Sequence, residues 1–578
     1  MQQVDYTTLR AIVGELQSHW LPARVEQVYQ RDRLTISLAL RTQTRRGWLT
    51  ISWHPQGARI CLDAPPPRIR DTFTFSDQLR HQLGGYALTS IETTTPWERV
   101  LDFQFAKRPA ETPLWHLYVE IMGKYSNVIL TDADHQIVTV AHQVTESQSS
   151  FRTLLTGQLY ELPPPLTNST PSLQESFHSW QQRVSLIGAG IKSQLLNSYR
   201  GLSPTLVASM VVAANLDSAQ STVTLSDSDW QRLFYFWQLW LLALDDGKFT
   251  PGLTMTGYTV LGWGLTQATE NVHSLINSYY TNQLNQQSFT QLRHQLLQKI
   301  ASLLNKLRLK ANTFTHRLQQ ADGADTYREQ ADLLMAYLCE WQPGMHSITL
   351  ADFASDQPVT IRLNPEKNGV QNAQFLYKQH QKLKRARNAV VPLLEEVNSE
   401  IQYLEQVEAS LSQLDVYSSP EDLQTLNEIR SELIQQQYLT AQQYRSENNT
   451  SDSQPLRYFS PSGFELWIGR NNRQNDQLTF RTAGDYDLWF HTQEIPGSHV
   501  LLRLNPGSLP DDADLQFAAD LAGYYSRGRE SDLVPVVYTQ PKFVYKPKGA
   551  KPGIAIYKQE RIIWGNPQKA KSYLKCND

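Results

Sequence analysis

Apolar and polar residues alternate along the first part of the chain, as they do in strands that bury one face. The segments 33–40 and 47–53 show this alternation most clearly. Ahead of them, the pattern between Tyr6 and Trp20 predicts a helix, and prolines 163–165 interrupt the pattern. We therefore expect a β-rich first domain with flanking helices over residues 1–163.

Residues 173–262 show helical spacing and contain many large aromatic residues. The change of period separates this segment from the first domain. We predict a compact helical domain with a small core formed by Trp180, Trp230, Phe234, Trp237 and Trp240.

Two long apolar series follow. The first runs from Phe289 to Leu318 in steps of three and four residues, which predicts one long helix with a single buried stripe. At about 1.5 Å per residue, this helix spans on the order of 45 Å. The second runs from Val390 to Leu414 with a mean step closer to the ~3.5 residues of a coiled-coil seam. Pro392 within it predicts either a kink or a helix start.

The segments 347–350 and 359–363 lie between the two series and alternate like a short hairpin. We predict an antiparallel coiled coil over residues 265–445, with a middle subdomain at about 322–370 capping its far end. A polar linker is expected at 446–455. Residues 456–578 are then predicted to form a compact α/β domain, with a helix near 514–527 and a buried strand at 533–538. The predicted fold class is multidomain α+β.

Composition narrows the class of protein. With 578 residues the chain is too long for one core. Its formal charge is −3, but positions 541–575 hold nine lysines and arginines against Glu560 alone. A second basic cluster comprises Lys378, Lys382, Lys384, Arg385 and Arg387. Such clusters suit contact with polyanions, although either one could equally be a solvated face.

Three cysteines, Cys61, Cys339 and Cys576, lie far apart and form no CxxC pair. Neither a zinc ribbon nor a disulfide framework is therefore expected, and a reducing compartment fits. The N-terminus carries Asp5 and lacks the apolar segment of a signal peptide. No apolar run approaches the ~20 residues of a membrane span. We expect a cytoplasmic protein without membrane contact.

Motifs of the common catalytic sites are missing from the sequence. There is no phosphate-binding P-loop, no HExxH and no GxSxG, so we expect neither an enzyme nor a cofactor. Asp487, His491 and His499 could be considered as metal ligands, but hydrogen-bonded histidines within a sheet are the favoured interpretation, and no metal is predicted. Ser498 and His499 as a nucleophile and its base are a weaker candidate still, because adjacent strand residues face opposite ways.

Two segments of the last domain carry side chains suited to RNA. Six amide-bearing or basic residues follow Gly469; amides offer donors and acceptors together, and arginine binds phosphate through two parallel bonds. A loop stiffened by prolines presents further lysines to backbone phosphates. Together with the basic helix, the candidate rRNA-binding residues are Arg470, Asn471, Asn472, Gln474, Asn475, His499, Lys546, Lys548, Lys551, Lys382, Lys384 and Arg385.

Near the other end, the sequence Glu120-Ile-Met-Gly-Lys-Tyr-Ser-Asn127 combines a turn with polar side chains. Gly123 permits the turn, Lys124 can reach phosphate, and Ser126 can bond backbone or base. An alternative is that Glu120 and Asn127 form a buried hydrogen-bonded pair that only stabilises the fold.

These motifs resemble the signatures of the NFACT family, ribosome-associated quality-control factors with bacterial and animal (NEMF) branches; some bacterial members bear the name fibronectin-binding protein. The resemblance rests on segments 120–130 and 151–160, on Asn372–Ala386 opening the returning coiled-coil arm, and on 459–476 with 487–500. It extends over nearly the whole chain.

The resemblance implies a fold as well. The family's N-terminal domain and tandem helix-hairpin-helix are similar to those of the formamidopyrimidine-DNA glycosylases, and 188–190 and 201–204 are candidate hairpins here. The segment 201–204 could instead be an ordinary helix stop. Glycosylase chemistry is not expected, because Gln2 and Gln3 replace that group's N-terminal proline and glutamate.

The implied function is rescue of stalled large ribosomal subunits that carry peptidyl-tRNA. Such a factor recruits tRNA, alanyl-tRNA in bacteria, and promotes template-independent alanine tailing of the nascent chain for degradation, while the ribosome forms the peptide bonds. A small Hsp15-like ribosome-binding partner would assist. Carried onto this sequence, the tRNA-binding and tailing residues are Glu98, Arg99, Glu120, Ile121, Met122, Lys124, Ser126 and Asn127.

Glu98 departs from the family pattern, which has aspartate before arginine at this position. The charge is kept, but the carboxylate lies one methylene further out, which changes the geometry behind tailing. The competing function is a fibronectin-binding surface adhesin, which the lack of an export signal and of a wall anchor disfavours.

Overall fold

The computed structural model describes residues 1–66, 71–353, 355, 357–440 and 452–574. Most of the predicted linker, residues 446–451, and Cys576 lie outside the described residues. The chain divides into two compact units, Met1–Leu284 and Asn285–Asp578. Both units mix helices with sheets, so the predicted multidomain α+β class is confirmed. The finer division into four domains stays a prediction.

The first unit is built on an antiparallel sheet of nine strands in the order β4-β3-β2-β1-β5-β6-β7-β8-β9 among its described residues. The strands are β1 (Ala23–Asp32), β2 (Thr35–Arg41), β3 (Arg46–Ser52), β4 (Arg59–Asp63), β5 (Ala87–Thr93), β6 (Val100–Ala106), β7 (Trp115–Glu120), β8 (Asn127–Asp132) and β9 (Ile137–Val140). Helices α1 (Tyr6–Trp20) and α2 (Thr74–Leu83) pack their apolar residues into the same core. The predicted first helix is confirmed, and Asp5 caps it by accepting the Thr8 N–H at 2.8 Å.

Four helices form the second core of this unit: α3 (Phe177–Val184), α4 (Ile191–Ser198), α5 (Pro204–Ala213) and α6 (Asp227–Asp246). Trp180, Trp237 and Trp240 are fully buried there, which confirms the predicted aromatic core. Gly190 precedes α4, and Ser203 caps α5, so the segment 201–204 starts a helix. A small sheet follows: β10 (Gly252–Thr254), β11 (Tyr258–Thr259) and β12 (Leu265–Ala268).

Long helices then follow: α7 (Val272–Ala321), α8 (Ala324–Ala336), α9 (Gly369–Gln413) and α10 (Pro420–Gln435). The apolar stripe that contains Leu296 and Ile300 packs with Leu404 and Val407, as the two periodic series predict. The hairpin is confirmed as β13 (Ser347–Ala351) and β14 (Pro358–Arg362).

The alternative that a helix starts at Pro392 is wrong, because α9 runs through this residue. The helix begins more than twenty residues earlier, where Asn368 and Gln371 form a capping box. Proline cannot donate a backbone hydrogen bond, so Pro392 weakens the helix locally. Capping and packing on both sides of this residue stabilise the helix by more than this loss.

The remaining residues form a six-stranded antiparallel sheet in the order β15-β16-β18-β17-β19-β22 within the described region. Its strands are β15 (Leu456–Phe459), β16 (Glu465–Ile468), β17 (Leu488–Thr492), β18 (Val500–Leu502), β19 (Val534–Thr539) and β22 (Arg561–Gly565). A separate ribbon pairs β20 (Val544–Tyr545) with β21 (Ile556–Tyr557), and the helices are α11 (Asn472–Gln477), α12 (Asp512–Tyr524) and α13 (Pro567–Leu574). The predicted helix near 514–527 and strand at 533–538 are confirmed. Among the described residues, we find no helix with the length and apolarity needed to span a membrane.

Candidate nucleic-acid interface

The turn between β7 and β8, together with the strand residue on each side of it, carries six of the eight predicted tRNA-binding residues. Its backbone enters the left-handed region at Gly123, where φ is 60° and an added Cβ would lie 3.0 Å from Gln3 Nε2. Ser126 holds the turn closed, because its Oγ accepts the Met122 N–H at 2.8 Å and donates to the Gly123 carbonyl at 2.8 Å. The hydroxyl is therefore used by the turn itself.

Glu120, the last residue of β7, is only 1% exposed. Both of its carboxylate oxygens accept from Arg152, at 2.8 and 2.6 Å, and Oε1 also accepts from the Tyr160 hydroxyl at 2.8 Å. Burial, together with the Glu120 carboxylate, raises the pKa of Tyr160, so its phenol stays protonated and donates. This fully paired carboxylate fixes the segment around Arg152 beside the turn.

Asn127 opens β8 opposite Glu120 and is also buried. Its Oδ1 accepts the N–H groups of Val128 and His142, each at 3.0 Å, and its Nδ2 donates to the His142 carbonyl at 2.7 Å. Glu120 and Asn127 are thus both buried and hydrogen-bonded, but their side chains bond to other residues and not to each other.

A cavity of ≈ 610 Å³ lies beside this turn. Five of the eight predicted residues line it: Glu120, Met122, Lys124, Ser126 and Asn127. Two aromatic rings at the cavity are exposed to solvent, Tyr125 by 70% and Phe151 by 80%. The Lys124 Nζ lies 4.9 Å from the Tyr125 ring centroid. Exposed rings beside a lysine can stack on bases and contact phosphate.

Glu98 and Arg99 directly precede β6, next to the turn but outside the lining of this cavity. The Arg99 carbonyl accepts the Ile121 N–H at 3.0 Å, which joins the two motifs through the backbone. The Arg99 guanidinium donates to the Val4 carbonyl at 3.3 Å, and Glu98 accepts the Leu166 N–H at 3.2 Å. Ile121 itself packs in the apolar core.

In the second unit, the amide-rich segment after Gly469 is buried against α10. Arg470 forms an ion pair with Asp422. Asn471 donates to Glu428 at 2.7 Å and Asn472 to Glu432 at 3.1 Å. Gln474 donates to the Ser453 carbonyl at 2.8 Å. These side chains attach the C-terminal sheet to the helix.

Asn475 and His499 continue this buried network. The Asn475 Oδ1 accepts the His499 N–H at 3.0 Å, and the His499 ring bonds the Thr479 hydroxyl at 2.6 Å. A Cβ at Gly469 would collide with Asn475 Oδ1, so this close approach requires glycine. Burial, reinforced by His491, lowers the pKa of His499 well below its usual value, and the ring is neutral. RNA binding by the six buried residues stays a prediction; in the structure they bond to protein.

Some of the predicted lysines and arginines contact other protein groups, and others are exposed to solvent. Lys546 pairs with Asp476, and the Lys551 Nζ lies 4.6 Å from the Tyr438 ring centroid and 4.9 Å from that of Tyr403. Burial lowers the pKa of Lys551. Lys548 is exposed, as are the α9 residues Lys382, Lys384 and Arg385.

Two family profiles cover this chain. The profile of the NFACT N-terminal and middle domains matches residues 5–452, and that of the NFACT protein RNA binding domain matches residues 455–557. The chain belongs to the NFACT family. The resemblance inferred from the sequence is therefore confirmed, and with it the family function of ribosome quality control.

Curated relatives match this NFACT chain over nearly its whole length. The Rqc2 homolog RqcH of Streptococcus suis (strain 05ZYH33) is 30% identical over 574 residues, which cover 97% of this chain and 98% of the relative. The Rqc2 homolog RqcH of Bacillus subtilis (strain 168) is 28% identical over 579 residues, 96% of each chain. A solved structure, the C-terminal of the fibronectin/fibrinogen-binding protein from Streptococcus suis, is 33% identical and covers 49% of this chain and 98% of that chain, with a TM-score of 0.38.

The described residues of this NFACT chain contain no group of three or more histidine, cysteine, aspartate or glutamate side chains able to hold a metal. The His491 and His499 rings lie 5.3 Å apart, edge to face, against Trp489. The two histidines belong to the aromatic packing of the sheet.

Sequence reasoning missed the exposed aromatic residues of the cavity, Tyr125 and Phe151. A usable signal was present: Tyr125 directly follows Lys124 in a glycine turn, where an apolar core position is not expected. It also missed Arg152, whose pairing with Glu120 bridges thirty-two positions of sequence.

Proposed function

We propose that this NFACT protein binds stalled large ribosomal subunits carrying peptidyl-tRNA and recruits tRNA, with alanyl-tRNA as the expected species. It then promotes template-independent alanine tailing that marks the nascent chain for degradation. The ribosome forms the peptide bonds, while this chain acts in the cytoplasm as a tRNA- and rRNA-binding factor. A small Hsp15-like ribosome-binding protein belongs to the same proposal as an assisting partner.

The observation that carries the proposal is the cavity beside the β7–β8 turn, which gathers five of the predicted residues. Its buried polar groups, Glu120 and Asn127, hold the turn and the segment of Arg152 in place. That leaves Lys124, Tyr125 and Phe151 exposed to a ligand. Protein recognition of RNA relies on stacking of unpaired bases on aromatic rings, and tRNA offers such bases in its loops and at its 3′ end.

The glycosylase-like character of the N-terminal sheet and the tandem helix-hairpin-helix belong to the same proposal. Helices α4 and α5 begin directly after Gly190 and Ser203. Backbone N–H groups at such helix starts can bond phosphate oxygens, and this would add a backbone contact to the base contacts of the cavity.

Truncating the cavity rings should weaken tRNA binding. Since stacking contributes about 1–3 kcal/mol per base, Tyr125→Ala and Phe151→Ala are each expected to lower tRNA affinity about 5- to 150-fold. The measurement is fluorescence anisotropy with labelled tRNA. Tyr235→Ala is the matched control, because Tyr235 is an exposed ring on α6 outside this cavity. Equal affinities of all three variants would exclude the cavity as the tRNA site.

We expect the first unit to serve alanine tailing and the second unit to serve binding to the large subunit. Arg99→Ala should weaken alanine tailing while large-subunit binding stays mostly intact, whereas charge reversal of Lys546, Lys548 and Lys551 should loosen subunit binding. Lys548→Glu is the cleanest single change, since the described residues include no ion-pair partner for Lys548. Co-sedimentation with stalled large subunits over a salt series provides the readout. If Arg99→Ala lost subunit binding to the same extent as the lysine variant, this division of labour would be refuted.

Fibronectin binding at the cell surface is the competing function, because some bacterial members of the family bear the name fibronectin-binding protein. Cell fractionation separates the two. Association with large subunits supports rescue, and exposure at the cell surface supports adhesion.

A further inference from the structure

The β20–β21 ribbon presents two different faces. Its inward pair is Val544 and Tyr557, and Val544 packs in a small core with Trp489 and Val537. Its outward pair is Tyr545 and Ile556, which are 43% and 51% exposed. Side chains alternate between the faces of a strand, so the packing of the inward pair holds the outward pair toward solvent. An exposed tyrosine is thereby fixed on a supported strand.

Three lysines lie on the ribbon or on the segments that adjoin it in sequence, and one of them contacts the outward ring. Lys558 lies 5.7 Å from the centroid of the Tyr545 ring, and Lys542 lies 5.0 Å from that of the adjacent Phe543 ring. Lys548 is exposed on the loop that joins the two strands. Within the described ranges, none of these three lysines has an ion-pair partner, in contrast to Lys546, which pairs with Asp476.

Two acidic residues of this region influence the inward residue Tyr557. Burial, followed by the carboxylates of Glu560 and Glu494, raises the pKa of Tyr557. Tyr557 belongs to the pair opposite Tyr545 and Ile556. Lys558 therefore places a positive charge beside the exposed Tyr545 ring, and Lys542 and Lys548 add two further lysines in the adjoining described segments.

We propose that this outward face binds unpaired RNA, with the Tyr545 ring stacked on a base and Lys542, Lys548 and Lys558 on the flanking phosphates. This inference rests on the proposed function, because it specifies the RNA contact of the C-terminal domain. A positively charged surface with a supported aromatic ring is the combination that single-stranded nucleic acids bind. A protein partner would need carboxylates opposite three lysines and would leave the stacking capacity of the ring unused.

The ribbon is favoured as the RNA contact because the other candidate RNA-binding residues of this domain are occupied by protein contacts. Arg470, Asn471 and Asn472 bond to carboxylates of α10, and Lys551 packs on two tyrosine rings. RNA could reach these groups only after the domain had separated from the helix. The ribbon is accessible without any such change.

The test measures binding of the full chain to a fluorescent single-stranded RNA oligonucleotide and to its duplex. All variants carry Phe151→Ala, so that the cavity in the first unit contributes little. Tyr545→Ala should lower single-strand affinity about 5- to 150-fold, Tyr545→Phe should stay within about 3-fold, and duplex affinity should change little. Tyr486→Ala is the matched control, because Tyr486 is an exposed tyrosine elsewhere in the same domain.

A second arm tests the lysines. Replacement of Lys542, Lys548 and Lys558 by glutamine should reduce the slope of log affinity against log salt by about 2, since each phosphate contact to a single strand contributes about 0.7. An unchanged slope, a Tyr545→Ala affinity equal to that of Tyr486→Ala, or an equal loss for duplex RNA would overturn the assignment.

The same variants separate this inference from the proposed function. If the unaltered protein bound subunits and supported tailing, but Tyr545→Ala did not change the affinity for single-stranded RNA, only the inference about the ribbon would be rejected. If the unaltered protein did not bind subunits, but Tyr545→Ala still lowered the affinity for single-stranded RNA, the proposed rescue function would be rejected. The ribbon would then remain as an RNA-binding site.

Discussion

Arg152→Met is expected to lower the free energy of unfolding around β7 and β8 by about 3–5 kcal/mol, because it leaves the buried Glu120 carboxylate without its cation. The Glu120 side chain is 0% exposed, and both of its oxygens accept from Arg152. Tyr160 alone cannot replace that bidentate pairing. The measurement is hydrogen exchange with mass spectrometry on the full chain, which reports local opening in each strand.

A double replacement gives the control. In Glu120→Gln with Arg152→Met the buried charge is gone, so most of the lost stability should return. Glu120→Gln alone should be intermediate, since its amide can still accept from Arg152 and Tyr160. If the amide hydrogens of β7 and β8 exchanged no faster in Arg152→Met than in the double variant, the ion pair would not be the contact that orders this segment.

The second large effect is expected at α10. Arg470→Met should cost about 3–5 kcal/mol, because the buried Asp422 carboxylate then loses its cation and, among the described residues, keeps only the Ser418 and Ser419 N–H groups as donors. Both side chains are largely buried, at 8% and 12% exposure. Faster hydrogen exchange should appear in both partners of the contact, α10 and the segment around Asn472.

Arg473→Met is the neighbouring control. Arg473 is exposed and donates to the neutral Gln435 side chain at 2.8 Å, so its loss breaks no buried ion pair. Exchange of α10 should then match that of the unaltered protein. Equal acceleration by Arg470→Met and Arg473→Met would show that the whole segment, rather than the buried ion pair, attaches the domain.

Both effects have the same origin. The polar motifs most easily recognised in this chain are used largely to attach one part of the protein to another. Glu120 positions the segment of Arg152, and the amide-rich segment fixes the C-terminal sheet on α10. The groups left for RNA are the exposed lysines and rings, and they are ordered by these buried contacts.

Helix α1, the β13–β14 hairpin and helix α12 followed from the sequence alone. Their periods and caps involve residues two to four positions apart, so local patterns are sufficient to specify them. The motifs around Glu120 and Asn472 were also found, and so was the family. Pro392 was a local signal that misled, because the capping box at Asn368 and packing along α9 outweigh one missing hydrogen bond.

The tertiary structure decided which polar residues face a ligand. Arg470 bonds a residue 48 positions away and Arg152 one 32 positions away, and nothing in the adjacent sequence announces either partner. An amide or arginine offers the same donors to a carboxylate as to a phosphate. Only folding, by placing a carboxylate within reach, determines that Arg470 and Asn472 face protein while Tyr125, Phe151 and Tyr545 face solvent.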